Sequence, residues 1–198
     1  MDSHAWDERY GATELVWSEG PNQFVAEIAG ALPPGRALDL ACGEGRNAIW
    51  LARQGWTVTG VDFSQVGLDK GRRLAEQAGV EVRWVHADLR SWQAPEPQDL
   101  VVLSYLQLPA PDMAAVVGHG AAALAPGGLM LLVGHARRNL TAGTGGPQDP
   151  AVLYEPDDVV PWCAGLTVER ADHVVRVVGS DADRRQAVDT LVLARKPA

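Results

Sequence analysis

The chain has 198 residues, 46% hydrophobic and 21% charged, enough apolar material for the core of a single globular domain spanning residues 1–198. A formal net charge of -8 and a pI near 5.0 argue against a mainly electrostatic grip on nucleic acid or an anionic membrane, so a small molecule is the default partner. Two cysteines, Cys42 and Cys163, make no disulfide framework and belong to no spaced Cys/His set, so no metal site is expected.

The opening MDSHAWDERYG lacks the basic head and apolar run of an export signal, and no stretch approaches the roughly eighteen apolar residues of a membrane span. A soluble, cytoplasmic protein is expected, and no pattern specifies its oligomeric state. Residues 2–18 carry Trp6, Tyr10 and Trp17 among charged residues, a short polar helix at best. Phe24, Val25, Ile28, Ala29 and Leu32 follow with helical spacing, so residues 1–32 read as a helical cap on a core of residues 36–198. After Pro33-Pro34-Gly35 an alternation of strands and helices begins. Strands are expected at Arg36, at Trp56–Asp62, from Val80, at Asp99–Leu106 and through GLMLLVGHA. Ser64 serves as N-cap of a helix that ends at Ala78-Gly79, and a further helix opens at Pro111-Asp112. Pro126-Gly127-Gly128 reads as the turn before strand five. Residues 136–154 form a glycine-rich loop too long for a plain connection. Pro156 opens a short helix, and two β-rich segments joined by GSDAD make a terminal hairpin. This is an α/β domain with a mainly parallel sheet and an antiparallel edge, whose ligands lie outside the carboxyl ends of the strands.

The chain is organised around RALDLACGEGRNAIWLA, a strand, a tight turn and a helix N-terminus. Gly43-Glu44-Gly45-Arg46-Asn47-Ala48 satisfies the G-x-G-x-x-G/A dinucleotide fingerprint, and Asp62 stands where a ribose-binding acid would, so an NAD-dependent oxidoreductase is one reading. Glu44 argues against a pyrophosphate packed on the turn. Asp39 and Asp62, with no nearby lysine, suit a ligand bearing ammonium and sulfonium charges.

LDLACGEGRNAIWLA, the GVDFS ending of strand two, HADL after strand three and LAPGG before strand five together resemble the Rossmann-like (class I) methyltransferases that use S-adenosylmethionine (AdoMet) and release S-adenosylhomocysteine. GEGRNAIWLARQGWTVTGVDFS with an aromatic N-terminus is most similar to the tellurite-resistance and thiopurine-type branch, which acts on small molecules. The resemblance implies a three-layer sandwich with a seven-stranded sheet of order 3-2-1-4-5-7-6, strand seven antiparallel. It also implies that Asp39 and the backbone of Ala41, Cys42 and Gly43, with Asn47, hold the methionine end. On the same grounds Asp62 takes the ribose hydroxyls, Phe63 and Ser64 border the adenine, and Ala87, Asp88 and Leu89 read its edge. Ser104-Tyr105 leaves strand four beside the methyl group. Ala41 stands where the family often has its first glycine, and alanine fits if it keeps a negative φ.

Taken singly, Asp39 also reads as a carboxylate for turn amides and Asp62 as a helix cap; side by side at adjacent strand ends they favour the cofactor. Trp6, Tyr10 and Trp17 read as packing or as a lid over the cofactor and a wall of the acceptor pocket. His135 ends strand five on the crevice side, as a catalytic proton acceptor or as a hydrogen bond for the long loop. Arg137 just beyond it would suit an anionic acceptor. The favoured activity is methyl transfer to a small acceptor, a thiol or other soft nucleophile, with Tyr105 and His135 at the reacting centre. A non-catalytic AdoMet-binding module is the remaining alternative. A nucleic-acid amino-methyltransferase would carry N/D-P-P-Y/F where this chain has Leu103-Ser104-Tyr105-Leu106.

Overall fold

A computed structural model describes residues 3–13, 15–16, 20–179 and 183–198; Trp17 and the tip of the GSDAD turn lie outside them. Seven strands form one sheet: β1 (Arg36–Leu40), β2 (Thr57–Asp62), β3 (Arg83–His86), β4 (Gln98–Ser104), β5 (Leu124–His135), β6 (Thr167–Val178) and β7 (Arg185–Arg195). Their order is β3-β2-β1-β4-β5-β7-β6, with β7 antiparallel to both β5 and β6, as the sequence resemblance implies.

The alternation of side chains along each strand sorts the core into two faces. Leu38, Leu40, Val101, Leu103, Met130 and Leu132 pack against Met113, Val116 and Val117 of α5 (Ala110–Ala123). Ala37, Val58, Leu100, Val102, Leu131 and Val133 pack against Phe24 and Val25 of α2 (Gln23–Ala29) and Ala48 and Leu51 of α3 (Arg46–Arg53). Burial of β4 on both faces explains its continuous apolar sequence.

Local signals set the helix ends. Ser64 caps α4 (Gln65–Gln77), its hydroxyl accepting from the Gly67 amide at 3.0 Å, and Gly79 follows the helix at φ +67°. Asn22 caps α2, accepting from the amides of Phe24 and Val25. The aromatic N-terminal segment does form a helix, α1 (Ser3–Gly11), docked on α4: Asp7 accepts from the Ser64 hydroxyl and the Val66 amide, and Tyr10 is buried beside Gly67.

Two boundaries differ from expectation. β5 starts at Leu124, ahead of Pro126-Gly127-Gly128, and its pairing with β4 slips in register between Gln98 and Leu100, so those residues form an irregular strand start and not a separate turn. The stretch of residues 136–154 is organised around α6 (Asn139–Ala142). Asn139 is buried there, its side-chain oxygen accepting from the Val188 amide at 2.7 Å and its nitrogen donating to the Gly145 carbonyl at 2.9 Å. The chain then passes through α7 (Pro156–Val159) into β6.

Candidate active site

The turn after β1 is built from alternating left-handed residues. Gly43 and Gly45 have φ of +54° and +79°, and a Cβ on Gly45 would fall 2.2 Å from the Trp84 ring, so glycine is required there by conformation and by space. Ala41 also has φ +57°. This corrects the expectation of a negative φ: the alanine adopts the glycine-like conformation itself, at a steric cost to its Cβ.

Two carboxylates sit beneath this turn. Asp62, at the end of β2, accepts from the Gly43 and Ser64 amides, each at 2.8 Å, and so ties the glycine turn to the next strand. Asp39 accepts from the Ala48 amide at 3.1 Å through one oxygen, while its other oxygen is buried without a partner. Burial pushes the Asp39 carboxyl up to about 7, and the Asp62 carboxyl is raised for the same reason. Both are carboxylates made costly to ionise by their surroundings. Burial likewise pushes the Cys42 thiol up, in keeping with a packed residue and not a nucleophile.

Glu44 leaves the cleft. It is 2% exposed, accepts from the Val16 amide through both oxygens at 3.2 and 3.0 Å, and pairs with Lys70 at 3.1 Å. The expectation that this turn has no nearby lysine is therefore wrong, because α4 carries Lys70 across from it. That lysine is held by Glu44 and the Thr13 carbonyl, and the cation that acts on Asp39 is Arg46.

A second cluster lies at the ends of β4, β5 and β7. Tyr105, at φ +57°, donates its backbone N–H to the Val133 carbonyl and its hydroxyl to Asp189 Oδ2 at 2.6 Å. The same hydroxyl accepts from Arg176 Nε at 2.9 Å and from Asn22 Nδ2 at 3.3 Å. His135 lies against Tyr105, with ring centroids 4.8 Å apart, and its Nδ1 is 3.2 Å from Asp189 Oδ1, within ion-pair reach but off the hydrogen-bonding line. Arg46 from the start of α3 stands over the Tyr105 ring, 6.0 Å from its centroid. Ser104 Oγ is buried without a partner between the two clusters' strands.

The remaining expected residues divide. Asn47 is buried and accepts from the Asn22 amide at 2.9 Å, linking the turn to the Tyr105 cluster. Leu89 is buried, Ala87 donates its amide to the Asp62 carbonyl, and the Phe63 carbonyl is bonded by His86 Nε2. Asp88 is half-exposed and held bidentately by Arg90, which keeps its carboxyl below the usual range, so its carboxylate is already engaged. Trp6 stacks near Tyr10 on α1 with Arg9 above it. Arg137 is engaged elsewhere than expected: it donates to Asp158 of α7 at 2.8 Å and to the Leu153 carbonyl at 3.1 Å, a correction to its reading as a group for an anionic acceptor. The cations at the crevice are Arg46 and Arg176. These two, with Asn22 and Asp189, went unread in the sequence. Asp189 alone left a signal, a carboxylate inside the apolar strand sequence AVDTLVL.

A methyltransferase domain family profile matches residues 37–128, the span from β1 to the start of β5. The ubiquinone biosynthesis O-methyltransferase of Klebsiella pneumoniae subsp. pneumoniae is 28% identical over 170 residues, covering 77% of this chain and 69% of that protein. The matched profile and relatives support a class I S-adenosylmethionine-dependent methyltransferase. Solved methyltransferase-fold structures cover nearly all of it. A protein from work on the conversion of a disulfide bond into a thioacetal group during echinomycin biosynthesis superposes with TM-score 0.78 at 21% identity, covering 98% of this chain and 91% of that one. TehB from Haemophilus influenzae gives 0.71 at 18% identity, covering 98% and 66%. At these identities the likeness is one of fold.

Proposed function

We propose that this methyltransferase binds AdoMet across the carboxyl ends of β1, β2 and β4 and methylates a small molecule through a sulfur or oxygen that carries a proton. The observation that carries the reading is the pair of buried carboxylates, Asp39 and Asp62, at adjacent strand ends, one with an unpartnered oxygen. Such a pair fits a ligand with positive charge and hydroxyl donors, because each interaction would restore what burial removed. It does not fit a diphosphate.

In this reading Asp39, the backbone of Ala41, Cys42 and Gly43, and Asn47 hold the methionine end. Asp62 keeps its two amide bonds and uses its remaining lone pairs for the ribose. Phe63, Ser64, Ala87, Asp88 and Leu89 line the adenine, which requires Asp88 to share its carboxylate with Arg90 or act through its neighbours. Bound AdoMet supplies an activated methyl carbon and a neutral leaving group. The protein aligns the acceptor and excludes water, effects worth roughly 7–11 kcal/mol in favourable intramolecular cases. Ser104 and Tyr105 border the reacting centre, with Tyr105 kept protonated because burial raises its hydroxyl far above its ordinary range. Residues 1–32 act as the cap: α1 sits on α4 beside the glycine turn, and Trp6 and Tyr10 wall the pocket.

A cytoplasmic location is part of this proposal; among the described residues no helix is long and apolar enough to cross a membrane. The acceptor is sought with methyl-labelled AdoMet across thiols, phenols, amines and oxidised chalcogen anions, volatile products being trapped. Transfer to a thiol or phenol is expected. Binding of AdoMet with no transfer to any class would favour a non-catalytic module.

A further inference from the structure

Resting on the methyl-transfer reading, we infer that Asp189 is the positioning residue that makes His135 a proton acceptor, and that the acceptor is an aryl or enol hydroxyl that arrives protonated. The antiparallel pairing of β5 with β7 places His135 and Asp189 directly opposite each other. Asp189 is fully buried, and its Oδ2 is saturated by the Tyr105 hydroxyl at 2.6 Å and Arg176 Nε at 3.0 Å. Its Oδ1 is left to His135 alone, 3.2 Å from Nδ1.

Burial by itself would drive Asp189 toward the neutral acid, but His135, Tyr105 and Arg176 together hold its carboxyl below the ordinary range. An ionised partner at Nδ1 fixes the proton on that nitrogen and leaves the lone pair on Nε2. Two neighbours confine the ring: Tyr105 packs against it at a tilt of 48°, ring centroids 4.8 Å apart, and the backbone of Gly146 is so close that a Cβ there would lie 2.9 Å from the imidazole. The charged and titratable groups around it are Asp189 from β7, Tyr105 after β4, Arg176 from β6 behind Tyr105, and Arg46 from α3 over the Tyr105 ring. Arg176 shares its charge with Asp189 and offsets only part of the attraction for an imidazolium.

A nucleophile that is already anionic has no use for this arrangement, and a thiol of ordinary pKa, about 8.5, ionises nearly unaided. A hydroxyl of phenol-like acidity, about 10, does need it. The O–H bond of the acceptor breaks, its proton passing to Nε2 and its electron pair staying on oxygen. That pair forms the bond to the methyl carbon as the carbon–sulfur pair leaves on sulfur. The imidazolium then returns its proton to water.

The test is the imidazole nitrogen spectrum of the full chain, without cofactor, for wild type and Asp189→Asn. Wild type is expected as the Nδ1–H tautomer, and the variant should lose that preference. With catechol as probe, Asp189→Asn should lose on the order of a hundredfold in kcat near neutral pH, recover part of it at high pH, and keep its affinity for AdoMet. Asp189→Glu should restore part of the tautomer preference. If Asp189→Asn does not fold, His135→Gln should show the same loss with catechol. An Nε2–H tautomer in wild type, or an unchanged tautomer in the variant, would overturn the role of Asp189. Transfer to thiophenol without transfer to catechol would overturn the hydroxyl. Failure to bind AdoMet would instead sink the methyl-transfer reading and leave the tautomer result standing.

Discussion

Glu44 and Lys70 form a buried ion pair, 3.1 Å apart, that fastens the segment after α1 to the glycine turn, since Glu44 also holds the Val16 amide and Lys70 the Thr13 carbonyl. Removing one partner leaves the other charge buried, a cost of about 3–5 kcal/mol. Glu44→Ala is therefore expected to lower stability by that order and to release Thr13 and Val16. Urea unfolding with limited proteolysis checks both; unchanged cleavage there would show that the segment is held by something else.

In the proposed site, Asp39 should make cofactor affinity pH-dependent. Its carboxyl is raised to about 7 in the free protein from an ordinary 3.8. The folded chain thus binds a proton that the unfolded chain has lost between those values, so stability falls as pH rises from about 4 to 7 and is level above. A cationic ligand binds the ionised form, so affinity for AdoMet should drop up to tenfold per unit below about pH 7, with proton release on binding near neutrality. Calorimetry in two buffers of different ionisation enthalpy measures this. In Asp39→Asn the proton release should vanish.

Ala41 at φ +57° is a site where glycine is less strained. Ala41→Gly should stabilise the chain by about 1 kcal/mol, a rise in Tm of about 2–4 °C. Ala41→Val should lower it, because a branched side chain tolerates that conformation worst. Thermal unfolding decides, and a lower Tm for the glycine variant would contradict the strain.

The long loop presses on His135 through Gly146, at φ +77°. Gly146→Ala should displace either the loop or the ring. Methyl transfer is expected to fall about tenfold or more while the affinity for AdoMet, proposed to rest on Asp39 and Asp62, stays within twofold. Equal losses in both would place the loop over the cofactor instead.

The sheet and the glycine turn with its two buried carboxylates were legible in the sequence because they are local. A strand, a turn and a helix follow one another around Gly43, and Asp39 and Asp62 each close a strand that leads into such a turn. The cluster around Tyr105 was not, because it is assembled by pairing across the sheet. Asp189 meets His135 through strand register, and Arg176 reaches Tyr105 from the far side of β7. Arg137 was misread for the same reason. Its sequence neighbour His135 turns into the crevice while α7, eighteen or more residues on, engages Arg137 through Asp158.

The central claim is tested most directly by titrating AdoMet into the wild-type chain and Asp62→Ala at pH 8, with NAD as the comparison ligand. One saturable AdoMet site is expected in wild type, weakened in Asp62→Ala by about 1–3 kcal/mol through lost charge-assisted hydrogen bonds, with no comparable binding of NAD. Saturable NAD binding without AdoMet binding, or an affinity for AdoMet indifferent to Asp62, would contradict it.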